Sequence, residues 1–354
     1  MIDSDHKLAA GLPRLKAADW IALDTEADSL HAYPEKLCLI QISVPDGDLL
    51  LDPLANMNLH PVLQILKRHE LILHGADYDL RLLRRRFEFA PSAIFDTMLA
   101  SRLLGVREFG LTHLVWKFLG ARLEKGPQKA NWGRRPLTER MAAYARNDTH
   151  YLKPLADLLR QQLKDKGRLA WHQESCARLI ADTAQSRPPD PELAWRVKGS
   201  HHLEPAALAV LRELWHWREK EALRANKPPF FILSPEAMVH LAKTAAESVS
   251  VHHILPRHLS SHRQEGVLGA IARGLRTQTL PSKAVRQSSY RQTEAERRRM
   301  HELQKVRNHR AAELGLDPTL IASRAMLVLL ARDWDTHAKE LMKWQRELFK
   351  KDDG

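Results

Sequence analysis

Five residues in three clusters have the types and spacing for chemistry on a polyanion. Asp24 and Glu26 flank Thr25 at the end of the run Trp20-Ile21-Ala22-Leu23. On a strand, residues i and i+2 share a face, so the two carboxylates project together and Thr25 turns away. Carboxylates held side by side repel unless a proton or a cation lies between them, which makes a hard divalent metal their natural partner. A lone Asp-x-Glu near a strand end is more often turn chemistry. The second cluster, His74-Gly75-Ala76-Asp77-Tyr78-Asp79, lies where a strand passes into a helix. Asp79 falls in that helix's first turn, where an acid also complements the dipole; Asp77 reads as a surface acid. In the third cluster Tyr144 and Asp148 are spaced i, i+4 on one helix face. This is either a simple phenol–carboxylate hydrogen bond or a ligand aspartate beside a tyrosine that positions an attacking water.

The elements that must position these residues follow from the apolar runs. Residues 20–26, 37–44 and 48–52 have strand character, and short connections carrying Pro34, Pro45 and Gly47 make an antiparallel meander the economical reading. A helix over 61–68, a strand over 71–74, a helix from Tyr78 and a short strand over 93–95 come next. Asp96 reads as the N-cap of a helix over 97–104 rather than as a ligand. Thr138 and Glu139 open a helix that runs on towards Leu159. A meander followed by alternating strands and helices is an α/β domain with a mixed five-stranded sheet.

At 354 residues, 44% hydrophobic and 28% charged, the chain has room for two or three domains and a sizeable core. Its two cysteines, Cys38 and Cys176, allow neither a CxxC pair nor a disulfide framework, which fits a reducing cytosol. The start Met-Ile-Asp-Ser-Asp-His lacks the regions of a signal peptide, and no apolar run approaches a membrane span, so a cytoplasmic location is expected. Net charge is +12, unevenly spread: residues 1–60 hold ten Asp/Glu against four Lys/Arg, and residues 273–310 eleven Lys/Arg against three Asp/Glu. An acidic pocket in basic surroundings suits a metal site that handles a polyanion, and a solvated basic surface explains the charge alone at least as well.

Taken in order, Asp24-x-Glu26, His74-Gly75-Ala76-x-x-Asp79 and Tyr144-x-x-x-Asp148 resemble the three exonuclease motifs of the DEDD superfamily, tyrosine branch. Phe95-Asp96-Thr97, Gly110-Leu111-Thr112-His113-Leu114 and Arg134-Arg135-Pro136-Leu137 are similar to the ribonuclease D family in particular. The resemblance implies an RNase H-like fold and 3′→5′ hydrolysis of RNA, one nucleotide at a time, with release of 5′-mononucleotides. It implies that Asp24, Glu26, Asp79 and Asp148 bind two Mg²⁺ or Mn²⁺ ions and that Tyr144 orients the water. Two such ions ~3.5–4 Å apart can stabilise both the attacking and the leaving oxygen of an in-line displacement. His74, Lys125, Gln128, Trp132 and Arg135 are candidate substrate contacts; for Trp132, base stacking and core packing both remain open. Asn131-Trp132 stands where the family often has Asp-Trp, a departure that touches no proposed ligand.

In the second half, the Pro188-Pro189-Asp190-Pro191 stretch marks a boundary, and a long helix over 204–225 with Leu208, Leu211 and Trp215 on one stripe leads to Pro228-Pro229 and a capped start at Ser234-Pro235-Glu236. Shifting residues 217–242 by 89 positions pairs Arg218 with Arg307, Pro229 with Pro318 and Ser234 with Ser323, among eight identities in 26 positions. Both copies resemble the HRDC module of ribonuclease D and RecQ-type helicases, which implies nucleic-acid binding. The expected organisation is an exonuclease domain over 1–170, a linker over 171–200, and HRDC-like helical domains over 201–283 and 284–354. The expected function is trimming of structured RNA 3′ ends, transfer RNA precursors above all, with no obligate protein partner evident. A DNA-directed 3′ exonuclease and a non-catalytic nucleic-acid-binding scaffold are the alternatives.

Overall fold

The computed structural model describes residues 1–124, 126–185, 190, 192–277 and 292–350. Its sheet has five strands: β1 (Ile21–Ala27), β2 (Leu37–Val44), β3 (Gly47–Leu51), β4 (Glu70–Leu73) and β5 (Ala93–Asp96), in the order β3-β2-β1-β4-β5. The meander β1-β2-β3 is antiparallel, while β4 lies parallel to both β1 and β5. The mixed sheet is as expected. All eight residues of β2 are buried, as a strand covered on both faces requires.

The helices of this part are α1 (Asp5–Ala17), α2 (His60–Leu66), α3 (Asp77–Phe87), α4 (Thr97–Leu103), α5 (Leu111–Leu119), α6 (Glu139–His150), α7 (Leu152–Asp165) and α8 (Leu169–Ala184). Three differ from expectation, the first being α5, whose start is read from the sequence only as a motif. α1 has no counterpart in the sequence reading; it contains Pro13, which opposes helix locally, but Leu8 and Leu15 join the core that includes Leu51 and Leu71. The single helix expected to run towards Leu159 is two, broken at Tyr151. Pro154 explains the break: it has no N–H for the His150 carbonyl, and its ring crowds that oxygen.

By packing, the chain divides into two units: Met1–Ala27, Leu37–Ser186 and Arg291–Gly354 form one, Asp28–Lys36 and Arg187–Tyr290 the other. The second unit is helical, with α9 (Pro205–Ala225), α10 (Pro229–Ile232), α11 (Pro235–Ala246) and α12 (Ser261–Arg276) around a core that contains Trp195, Leu211, Leu241 and Val267. Within it, the Tyr33 hydroxyl donates to Glu219 and the Tyr33 N–H donates to Asn226 Oδ1 at 3.2 Å. The first unit carries α13 (Glu294–Leu314), α14 (Pro318–Ile321) and α15 (Arg324–Arg332). Each of these three begins 89 residues after its counterpart α9, α10 or α11. Arg218 and Arg307, paired by that shift, are both buried, at 7% and 8% exposure. Pro188, Pro189, Pro191 and the 283/284 border lie outside the described residues. No helix among the described residues is long and apolar enough to cross a membrane.

Candidate active site

The site forms at the C-terminal end of β1, where three distant stretches of chain meet. Register sets Asp24 opposite Gln41 of β2, and Gln41 Nε2 donates to Asp24 Oδ2 at 3.1 Å. Helix α6 packs on β1, β2 and β3 and delivers Asp148. One carboxylate oxygen each from Asp24, Glu26 and Asp148 lies within 4.8 Å of the others, the arrangement a cation would need. Asp79 is deeper, at 5% exposure, and accepts a hydrogen bond from Thr25 Oγ1 at 2.5 Å. Thr25 is therefore not idle: α3 packs on β1, and the threonine hydroxyl meets its aspartate there.

Nothing among the described residues neutralises this cluster. Burial, then the neighbouring Asp148, pushes Asp24 up to about 8. Burial, then the charges of Asp24, Asp148 and Asp79, pushes Glu26 up to about 10. Asp148 rises to about 7 by burial, against a hydrogen bond from Tyr144 that lowers it, and Asp79 rises by burial and the charge of Asp24. Hard carboxylate oxygens that raise one another's proton affinity are a donor set for Mg²⁺ or Mn²⁺, so the residues fit divalent ions. Tyr144 is also raised, first by burial and then by Asp148, so its phenol keeps its proton at neutral pH.

Supporting residues hold the geometry. Asp96 caps α4 as expected, and does more: its carboxylate accepts N–H bonds from Gly75 (3.1 Å), Ala76 (2.8 Å), Met98 (2.8 Å) and Leu99 (3.1 Å). It thereby clamps the turn that precedes Asp79, in which Gly75 takes φ +72°. The Thr97 hydroxyl donates to the Leu73 carbonyl at 3.1 Å, so it accepts from His74 Nδ1 at 2.9 Å. Burial lowers the His74 pKa, which leaves a neutral imidazole on the cleft wall. Gln128 bonds to the Tyr144 hydroxyl. Gly126 lies so close to the tyrosine ring that an added Cβ would fall 1.6 Å from Tyr144 Cδ2.

These residues line one cleft of about 820 Å³, with Asp24, Glu26, His74, Gln128, Tyr144 and Asp148 on its wall. The cleft also takes in Gly110, His113 and Asn147. The sequence reading assigned these no role, although Gly110 and His113 belong to a motif it quoted. Gln41 was missed as well; a glutamine between Ile40 and Ile42, in a strand whose other polar residue is Ser43, was its trace.

Two expected substrate contacts are elsewhere. Trp132 is 1% exposed, packed with Cys38, Leu39 and Met141, its ring centroid 6.1 Å from that of Tyr144. A ring buried that fully has no face for a base, so the core reading holds. Arg135 donates to Asp52 through Nε (2.5 Å) and Nη2 (2.6 Å), and to the carbonyls of Cys38 (2.6 Å), Trp132 (2.7 Å) and Arg134 (2.8 Å). With every guanidinium nitrogen engaged, it is a structural arginine rather than a phosphate ligand. Lys125 lies outside the described residues.

Comparison with known proteins agrees with this geometry. A family described as 3′-5′ exonuclease matches residues 1–164, and the HRDC domain family matches residues 207–251. The ribonuclease D of Zymomonas mobilis is 33% identical over 356 residues, 97% of this chain and 85% of that protein. That of Gluconacetobacter diazotrophicus is 30% identical over 360 residues, 99% of this chain and 90% of that one. The crystal structure of Escherichia coli RNase D, an exoribonuclease involved in structured RNA processing, superposes with a TM-score of 0.75 at 24% identity, covering 98% of this chain and 97% of that one. On the full-length likeness to these relatives, the chain belongs to the ribonuclease D family of 3′-5′ exoribonucleases.

Proposed function

We propose that Asp24, Glu26, Asp79 and Asp148 together hold two divalent ions, Mg²⁺ or Mn²⁺, and that the enzyme trims the 3′ ends of structured RNA, transfer RNA precursors first among them. The observation that carries this is the convergence of Asp24, Glu26 and Asp148 within 4.8 Å in an open cleft, with no cation among the described residues to neutralise them. When bound, two such ions would activate water near neutral pH and neutralise charge on the scissile phosphate. The protein's own groups do the rest. Tyr144, protonated, orients the attacking water rather than deprotonating it: its single O–H, given to Asp148 here, would turn to the water once that carboxylate held an ion. Gln128 fixes the phenol's direction, and Gly126 leaves room for its ring. Glu26 is assigned the proton that the water gives up. Neutral His74, its Nδ1–H given to Thr97, presents Nε2 as an acceptor towards the terminal nucleotide, not a counter-charge.

The reading extends to organisation. The tyrosine four residues before Asp148 assigns the chain to the tyrosine branch. The shared 89-residue offset of three helices supports a second HRDC-like module after the first. The borders expected at 170/171 and 200/201 give way to one between Ala184, where α8 ends in the first unit, and Trp195 in the second unit's core; the border proposed at 283/284 is kept, the location is the cytoplasm, and no protein partner is assigned.

The test is release of mononucleotides from 3′-labelled RNA and DNA with Mg²⁺ or Mn²⁺, wild type beside Asp24→Asn and Asp148→Asn. A precursor transfer RNA with a 3′ trailer should be shortened stepwise. Equal rates on a DNA of the same sequence would move the assignment to a DNA exonuclease. Full activity in both variants would remove the acids from the mechanism.

A further inference from the structure

A second concavity adjoins the catalytic cleft. It is a groove of about 530 Å³ lined by the end of α4, the turn leading to α5, and the end of α13. Gly110 lines the cleft and Phe109 lines the groove, so consecutive residues form the border between them. Consecutive Cα atoms are ~3.8 Å apart, less than the length of one nucleotide unit, so only the width of this turn separates the two concavities.

The groove's floor is held in place. Gly105 and Gly315 meet backbone to backbone: a Cβ on Gly105 would lie 2.3 Å from the Gly315 carbonyl oxygen. Arg168, 7% exposed, donates Nη1 to the Leu103 carbonyl at 2.8 Å and Nη2 to the Leu314 carbonyl at 2.7 Å, tying the ends of α4 and α13 together. On one wall the Arg102 guanidinium lies 5.3 Å from the centroid of the Phe109 ring, and Phe109 remains 38% exposed. Arg107 beside it is exposed and has no ion pair among the described residues. The acid in the lining, Asp317, uses Oδ1 to accept from the Thr319 N–H (2.8 Å) and hydroxyl (2.7 Å). Two guanidinium forks around an open aromatic face form a recognition unit for phosphates and a stacked base.

We propose that this groove is the upstream subsite for single-stranded RNA whose 3′ end occupies the cleft. Arg102 and Arg107 hold backbone phosphates there, and Phe109 stacks on a base. The proposal rests on the reading of the cleft as the 3′-end site. It gives the ribonuclease a preference for 3′ tails of several unpaired nucleotides over very short substrates.

The test compares wild type with the double variant Arg107→Ala, Phe109→Ala on a twelve-nucleotide single-stranded RNA and on a dinucleotide. Both side chains are exposed, so the variant should fold, which circular dichroism checks. The expected result is a KM for the longer RNA raised about tenfold with kcat within twofold, and a change under twofold for the dinucleotide, which is too short to reach the groove. Binding of the same RNA to Asp24→Asn protein, followed by fluorescence anisotropy, should weaken by a comparable factor on adding the double substitution, with a salt slope shallower by about 0.7 for each phosphate no longer neutralised. An unchanged KM and anisotropy for the longer RNA would overturn the subsite. So would an equal loss on the dinucleotide, which would make both residues supports of the cleft. If wild type cleaved neither RNA, the reading of the cleft would fail, while the anisotropy arm would still decide the groove.

Discussion

Two polar clusters in the first unit differ in what they lack. At the end of β1, three carboxyl groups converge and a fourth, Asp79, lies deeper beside Thr25, with no cation among the described residues to lower their pKa values, which are driven far above the ordinary carboxylate range. At Arg135, one guanidinium saturates Asp52 and three carbonyls, and the cluster is complete. Both rest on the same meander: Asp24 is on β1, the Cys38 carbonyl on β2, and Asp52 follows β3. Completeness marks a structural site and deficit marks a functional one. A polar network whose hydrogen bonds are all made stabilises the fold, whereas a cluster of like charges destabilises it until an ion binds.

The comparison breaks first at the acids. Asp24→Asn or Asp148→Asn should lower kcat on RNA by more than about a hundredfold, beyond what losing an outer partner of a metal site costs. The same changes should raise the melting temperature of metal-free protein, because they remove a repelling charge. A variant that lost activity by unfolding would show the opposite. Arg135→Ala should reverse the pattern, costing about 3 kcal/mol in urea denaturation because Asp52 is left buried without its partner. Its kcat, measured on the folded fraction, should fall far less than that of the acid variants; a hundredfold loss there would make Arg135 part of the reaction. Tyr144→Phe should lower kcat roughly tenfold to a hundredfold with metal affinity nearly unchanged, because orientation of the water is lost and the carboxylates are not. Gly126→Ala should resemble it, since the new methyl displaces the ring.

The smallest effect sharpens the contrast by pH. Asp148 at about 7 and Asp24 at about 8 hold protons in the folded state that the unfolded chain releases near pH 4. In EDTA, stability should therefore fall as pH rises from about 4 to about 8, and on towards 10 as Glu26 gives up its proton, since the unfolded state binds fewer protons across that window. Added Mn²⁺ should restore it at pH 8 and do little at pH 5, where protons already occupy the site. Thermal unfolding at the two pH values, with and without the ion, reads this directly, and pH-independent curves in EDTA would show that the acids do not strain the fold.

The meander, the strand-to-helix turns and the candidate acids were legible because each depends on local pattern: alternation at β1, a cap at Asp96, an i, i+4 pair on α6. What escaped was decided at a distance. α1 contains a proline that local propensity counts against helix, and burial with Leu51 and Leu71 outweighs it. Trp132 and Arg135 looked like nucleic-acid contacts because tryptophan and arginine serve that purpose on surfaces; only the fold covers the first and saturates the second. The repeated helices show the same limit. α9 buries Leu208, Val210, Leu211 and Leu214 in a core of its own unit, whereas α13 buries only Glu296, Arg307 and Ala311. Ala311 and Ile321 join a core with Leu155 and Leu159 of α7. The repeat was legible from sequence spacing, but its packing partner was not.

By itself, then, the sequence determined which residues are candidates for the chemistry and which family their motifs resemble, because residue type and spacing are local. Only the tertiary structure decided that Asp24, Glu26 and Asp148 share one small volume, that Asp79 is steadied by Thr25, and that Gly126 presses on Tyr144. Those facts depend on how α3 and α6 pack against the end of β1, and packing is the sum of many weak attractions between residues far apart in the chain.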